Sequence, residues 1–123
     1  MTKTSVIFIV SILIMVVGVC GHAQDFSEMT KIRYLIDSIE ALEGAKFIRN
    51  GREYDAQAAS SHLRLKLKAA GARVRTAEDF IKFCASKSSI TGKPYFIRFG
   101  EGSTIKSEVF FRHKLQKLAE NKL

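Results

Sequence analysis

The chain has 123 residues, of which 46% are hydrophobic and 26% are charged, and its formal net charge is +8. This length suits a single domain with one modest hydrophobic core. The lysines and arginines are spread along the whole chain instead of forming one basic block, so the charge gives no reason to expect a nucleic-acid partner. A basic exported domain could meet anionic lipid headgroups, wall polymers or an acidic protein, or it could simply be basic without a specific partner.

The first 23 residues have the pattern of a secretory signal peptide. Lys3 makes the start positive, residues 6–19 are almost entirely apolar, and Gly21 and Ala23 supply the two small residues of a cleavage site. The apolar run is shorter than the about 20 residues that a membrane span needs. We therefore expect export to the periplasm, cleavage after Ala23, and a single domain over residues 24–123.

Two alternatives to a cleaved signal peptide remain open. Cys20 can accept a lipid if the segment is a lipoprotein signal, although Val19 before it is bulkier than the residue which that signal prefers. An uncleaved segment with Lys3 on the cytoplasmic side would instead anchor the protein in the membrane.

The cysteine count excludes a disulfide within the exported domain. Cleavage after Ala23 removes Cys20 and leaves Cys84 alone. Cys84 lies among apolar residues of a predicted helix, and the local sequence offers no residue that would activate a thiol. We therefore expect a small buried side chain there.

The exported domain begins with a predicted amphipathic helix. Apolar residues recur at three- to four-residue spacing over 27–43, which indicates one buried face. Ser27 or Asp25 can cap the first turn, and Gly44 fits the position after the last turn.

A hairpin and a second helix are predicted to follow. Residues 46–49 and 52–54 have the character of two short strands, and Asn50-Gly51 between them is a type I′ turn signal. Asp55 is the next cap, and the alanine- and leucine-rich stretch over 56–70 predicts a helix.

The second half of the domain is predicted to hold two more helices and one more strand. Thr76 can cap a third helix, residues 86–93 form a polar connector, and residues 95–99 are a clear strand. Ser107 can cap a last helix with a basic outer face, which gives at most weak contact with a membrane besides that of the signal segment.

These elements predict an α+β fold of about four helices packed on a small antiparallel sheet, with strands near 46–49, 52–54 and 95–99. Antiparallel pairing of the first and last of these strands would place Phe47 and Phe96 or Ile97 in the core, under the first two helices.

Four segments resemble a known family. In chain order they are Phe47-Ile48-Arg49-Asn50-Gly51, Ser61-His62-Leu63-Arg64-Leu65-Lys66, Thr76-Ala77-Glu78-Asp79-Phe80-Ile81 and Ser88-Ser89-Ile90-Thr91-Gly92-Lys93-Pro94-Tyr95. They are similar to the YfeK-like family of small exported bacterial proteins, over about residues 34–99. The resemblance implies a bacterial source and a periplasmic location. It implies no activity, cofactor or catalytic residue.

The antiparallel pairing suggests an anion-binding cluster. It would bring the end of the strand over 46–49 beside the connector over 86–93, where cations, hydroxyls and free amides could meet a phosphate or carboxylate. His62 and Lys66 share a helix face that would reach the rim of this cluster. The candidate ligand-binding residues are Arg49, Asn50, His62, Lys66, Ser88, Ser89, Thr91 and Lys93.

Simpler interpretations compete with this cluster. The connector hydroxyls can satisfy turn amides, and His62 with Lys66 can be a solvated helix edge. The sequence has no catalytic motif, no metal-ligand spacing such as HExxH or CxxC, and no cofactor fingerprint. We therefore expect a small non-catalytic binding module for an envelope partner or an anionic ligand. The alternatives are an envelope hydrolase with a site near His62 and an N-terminally anchored structural protein.

Overall fold

The computed structural model describes residues 27–121. The predicted signal peptide with Cys20, and the alternative cap Asp25, lie outside the described residues. In chain order the elements are α1 (Glu28–Glu40), β1 (Lys46–Arg49), β2 (Arg52–Tyr54), α2 (Ala56–Ala70), α3 (Ala77–Phe80), β3 (Phe96–Arg98), β4 (Thr104–Lys106) and α4 (Ser107–Glu120). The predicted α+β class is confirmed.

Two short turns complete the helices. A 3-10 turn over Gly71–Arg73 follows α2, and a π-helical turn over Ile81–Ala85 continues α3. No helix among the described residues has the length and apolar character that crossing a membrane requires.

Helix α1 is shorter than the range of 27–43 predicted from its apolar spacing. The hydroxyl of Ser27 accepts a hydrogen bond from the amide of Thr30, which confirms the predicted cap. The helix ends at Glu40, because Ala41 already serves as the C-terminal cap. Gly44, with a φ of +68°, lies three residues after this cap and therefore does not end the helix as predicted.

The hairpin forms as its turn sequence predicts. Asn50 and Gly51 have φ values of +52° and +77°, the left-handed conformation that a type I′ turn requires. Strand β1 pairs antiparallel with β2, which places Phe47 opposite Tyr54. Strand β1 also pairs antiparallel with β3, where Phe47 faces Ile97. The predicted antiparallel pairing is therefore confirmed.

A fourth strand that the sequence analysis missed completes the sheet in the order β2-β1-β3-β4. Strand β3 is correspondingly shorter than the predicted 95–99. The Tyr95 amide donates to the carbonyl of Ser86, and the Phe99 amide donates to that of Ser103, so both ends of the predicted strand bond to loops.

The predicted role of Ser107 is wrong. Helix α4 begins at Ser107, its cap position is Lys106, and the cap is not closed by a side chain. The Ser107 hydroxyl is buried and donates to the Ala85 carbonyl at 2.6 Å. Ser107 is thus the first residue inside the helix, and its hydroxyl serves a long-range bond to another part of the chain.

The caps of the two middle helices form as predicted. Asp55 accepts from the Ala58 amide at 2.8 Å at the start of α2. Thr76 accepts from the Asp79 amide at 3.0 Å while Asp79 accepts from the Thr76 amide, which closes a capping box. A hydrogen bond from the Arg75 amide is the main reason that the pKa of Asp79 lies below its ordinary value.

One hydrophobic core joins the sheet to all four helices. Phe47 and Ile97 are buried, which confirms their predicted place, whereas Phe96 is half-buried. Cys84 is buried too, as predicted, and burial raises the pKa of its thiol. Its fully buried neighbours in the core include Ile32, Leu35, Ile39, Phe80, Ile81 and Phe111.

Candidate functional site

A pocket of about 270 Å³ lies between helix α2 and the sheet. Its floor is formed by buried core residues that include Ile39 and Phe111. Its rim includes Leu65, of which 67% is exposed. The pocket therefore runs from the surface into the hydrophobic core.

The polar lining of this pocket begins with Arg49 at the end of β1. Its Nη1 lies 2.8 Å from Nδ1 and 2.9 Å from Nε2 of His62, which α2 carries two turns after its start. A guanidinium can only donate hydrogen bonds. The ring nitrogen that accepts must therefore be unprotonated, so this contact requires neutral His62.

Arg49 also contacts Tyr54 of strand β2. Its Nη2 donates to the Tyr54 hydroxyl at 3.1 Å, and the guanidinium carbon lies 4.9 Å from the centre of the Tyr54 ring. The hydrogen bond from Arg49 is the main reason that the pKa of Tyr54 lies below its ordinary value of 10.0. Arg49 is thus held between a tyrosine and a histidine at the pocket wall.

Lys66 occupies the next turn of α2, beside the buried Tyr95. Its Nζ donates to the Tyr95 hydroxyl at 3.0 Å and to the Lys87 carbonyl at 3.0 Å. The Tyr95 hydroxyl also lies 3.5 Å from His62 Nε2. Tyr95 therefore links the Lys66 ammonium to the contact between His62 and Arg49.

The connector before β3 forms a second polar group with the hairpin. Thr91 Oγ1 donates to Asn50 Oδ1 at 2.6 Å, and Asn50 Nδ2 donates to Ser88 Oγ at 3.3 Å. Ser88 is buried and accepts from the amides of Ile90 and Thr91. The amides near Ser88 are thus engaged within the turn, as the simpler interpretation of the connector predicts.

The eight predicted residues fall into three sets. Arg49 contacts His62 directly, and Tyr95 links Lys66 to His62. Asn50, Ser88 and Thr91 form the hydrogen-bonded turn. Ser89 and Lys93 are exposed, and Lys93 contributes its backbone amide to Thr91 Oγ1. We call Arg49, His62, Lys66, Tyr54 and Tyr95 the cationic cluster.

Neither cation of the cationic cluster forms an ion pair with a carboxylate among the described residues. The ion pairs among residues 27–121 involve other basic residues, namely Lys31, Arg64, Arg98 and Arg112. Burial lowers the pKa of His62 below its ordinary value of 6.5, and the charges of Arg49 and Lys66 lower it further. At neutral pH the cluster thus carries two positive charges beside a neutral imidazole.

Sequence reasoning missed the pocket and both tyrosines. The turn sequence held a signal for Tyr54, because a two-residue hairpin fixes the register that places Tyr54 opposite the buried Phe47. Tyr95 offered no such signal, since its hydroxyl meets Lys66 from a residue 29 positions along the chain.

The contacts of His62 do not favour a role as a general base. A general base needs a free lone pair and a pKa close to the working pH. His62 directs its nitrogens at Arg49 and Tyr95, and both cations oppose its protonation. Within residues 27–121, no three acidic, histidine or cysteine side chains gather as they would around a metal ion.

Comparisons with known proteins relate the chain to a bacterial protein and to a family of unknown function. The chain is 44% identical over 68 residues to the uncharacterised protein YfeK of Salmonella typhimurium, which confirms the resemblance to the YfeK-like family. The match covers 55% of this chain and 57% of the relative. No solved structure gives a significant match. A family model described as a family of unknown function, DUF5329, matches residues 26–119, and the chain therefore belongs to that family.

Proposed function

We propose that this protein is a small non-catalytic binding protein for an anionic ligand, and that it acts in the periplasm after export. The observation that carries the proposal is that Arg49 contacts His62 and Lys66 contacts Tyr95, while neither cation forms an ion pair with a carboxylate among the described residues. The signal-peptide pattern of the first 23 residues supports the location.

The charge of the cluster favours an anion over a neutral ligand. The charges of Arg49 and Lys66 both act on His62, and a bound carboxylate or phosphate would offset this local excess of positive charge. Hydrogen bonds between ionised groups are about twice as strong as neutral ones. The ligand would therefore contact both Arg49 and Lys66.

The tyrosines give this anion site its shape. The hydroxyls of Tyr54 and Tyr95 accept hydrogen bonds from Arg49 and Lys66, so both cations are already positioned before a ligand arrives. Each hydroxyl keeps its own proton, which it can donate to a ligand oxygen. Such preorganisation lowers the cost of ordering side chains on binding.

The proposal is tested by titration with inorganic phosphate and acetate, followed by NMR signals of the His62 and tyrosine rings. We expect saturable shifts in the wild-type protein. The variants Arg49→Gln and Lys66→Gln should each weaken binding about tenfold, because each removes a charged hydrogen-bond donor.

Two matched variants control for the loss of net charge. Arg33→Gln changes an exposed arginine on α1, and Lys68→Gln changes an exposed lysine on the same helix as Lys66. Both should bind as the wild type does. Equal weakening in all four variants would mean that general charge attracts the anion, and the proposed site would be wrong.

A further inference from the structure

We infer that the ligand is an amphiphilic anion with an apolar chain of about nine heavy atoms, which fills the pocket while its charged head rests on Arg49 and Lys66. The inference rests on the proposed function and adds the chemical class of the ligand. Its basis is that four members of the cationic cluster line an apolar pocket, namely Arg49, Tyr54, His62 and Tyr95. Lys66 is not part of the lining, and it joins the cluster by donating to the Tyr95 hydroxyl.

The lining of the pocket changes character with depth. The floor includes Ile39, Ala85 and Phe111, which are at most 1% exposed. Arg49 and His62 are half-buried on the wall. A ligand with its apolar end at the floor would therefore bring its other end to the cations.

The floor of the pocket has no polar side-chain atom that needs a hydrogen bond from the ligand. Ser107 contributes a hydroxyl to the lining, but that hydroxyl already donates to the Ala85 carbonyl. Among the described residues, every buried side-chain nitrogen and oxygen has a hydrogen-bond partner. An apolar chain would therefore leave no buried polar side chain unpaired, which is the main penalty against such a ligand.

The pocket volume sets the length of the chain. A pocket of 270 Å³ has room for about nine heavy atoms, at about 30 Å³ for a water-sized group. It is also nearly twice as large as a cavity of about 150 Å³ that holds benzene. A bare phosphate or acetate ion would leave most of this apolar space unfilled.

The inference is tested with linear carboxylates from butanoate to tetradecanoate, measured by calorimetry on the full chain. Burial of each further methylene should tighten binding about fourfold, the equivalent of about 0.8 kcal/mol. The gain should stop near ten carbons, where the pocket is full. Octyl phosphate compared with octanoate identifies the preferred head group, and octanol measures binding without a charge.

A pocket-filling variant tests the place of the chain. Ala59 is half-buried and lines the pocket, so Ala59→Leu adds about three carbon atoms and should weaken octanoate binding about sixtyfold, at fourfold for each displaced methylene. If Ala59→Leu does not fold, Ala58→Phe is the substitute variant, because it obstructs the exposed rim of the pocket. The matched control is Ala69→Leu, an exposed position of α2 outside the pocket.

The outcomes separate this inference from the proposed function. Affinity that rises with chain length, and falls in Ala59→Leu and in Arg49→Gln, supports both. If acetate and octanoate bind equally well and Arg49→Gln still weakens both, the apolar chain of the ligand is refuted and the anion site stands. Equal binding of octanol and octanoate, unaffected by Arg49→Gln, overturns the anion site and with it the amphiphilic ligand.

Discussion

Truncation of Phe47 to alanine tests the sheet register and the pocket together. Phe47 is 9% exposed, lies opposite both Tyr54 and Ile97, and forms part of the pocket wall. A Phe→Ala change in a core costs about 3–5 kcal/mol, which combines lost burial with the cavity left behind. Because the space left by Phe47 would join an existing pocket, we expect a value near the lower end, about 3 kcal/mol.

Phe80→Ala provides the contrast within the same core. Phe80 is fully buried and packs edge-to-face against Phe111, with ring centres 6.1 Å apart, and it does not line the pocket. Its removal should leave a closed cavity and cost about 5 kcal/mol. Ile90→Ala is the surface control, because 94% of Ile90 is exposed, and it should change stability by less than about 0.5 kcal/mol.

Urea unfolding followed by far-ultraviolet circular dichroism measures these differences. With a slope of about 1–3 kcal/mol per molar urea, the Phe47→Ala midpoint should fall by about 1–3 M. A loss below about 1 kcal/mol would refute the core position of Phe47. A larger loss of unfolding free energy for Phe47→Ala than for Phe80→Ala would refute the expectation that the adjoining pocket lowers the cost of removing Phe47.

Four further predictions concern the location of the protein, two of its titratable groups and its catalytic activity. Intact-mass analysis of exported protein should give a chain beginning at Gln24, and a retained leader or a lipid on Cys20 would contradict this. NMR titration should give His62 a pKa below 6.5, and this pKa should rise in Arg49→Gln because a nearby positive charge is removed. Because the folded-state pKa lies below the unfolded value, the folded state should lose stability as pH falls from about 6.5 toward that lower pKa. The wild type should be more stable than Asp79→Asn, fully so above about pH 4, and this difference should disappear as pH falls through the lowered folded-state pKa of Asp79. A stability difference that does not change with pH would contradict this prediction. Ester hydrolysis by the purified protein should be unaffected by His62→Gln, and activity lost in that variant would favour the hydrolase alternative.

The cationic cluster could be predicted from the sequence only in part. The sequence analysis named Arg49, His62 and Lys66, because cationic or titratable groups at a strand end and on one helix face are visible in the residue order. It included Ser89 and Lys93 on the same grounds, although both are exposed and stand apart from the contacts of the cluster. Residue order gives the edge of the sheet at which a side chain lies, and it does not give the direction in which that side chain turns.

The sequence by itself determined the features whose partners lie within a few residues. The caps at Ser27, Asp55 and Thr76 each accept an amide three residues later, and Asn50-Gly51 closes its turn between neighbouring strands. Such contacts depend on local geometry alone, because the chain between the partners is too short to place them elsewhere.

Only the tertiary structure decided the features that distant partners create. Strand β4 has three residues with no buried side chain, and it forms because β3 lies beside it. The Ser107 hydroxyl donates to the carbonyl of Ala85, 22 residues earlier, and does not cap its own helix. The pocket likewise exists because α2 and the sheet pack around a space that neither element encloses alone. Packing between distant segments sets such volumes and partners, and the order of residues within one segment carries no record of them.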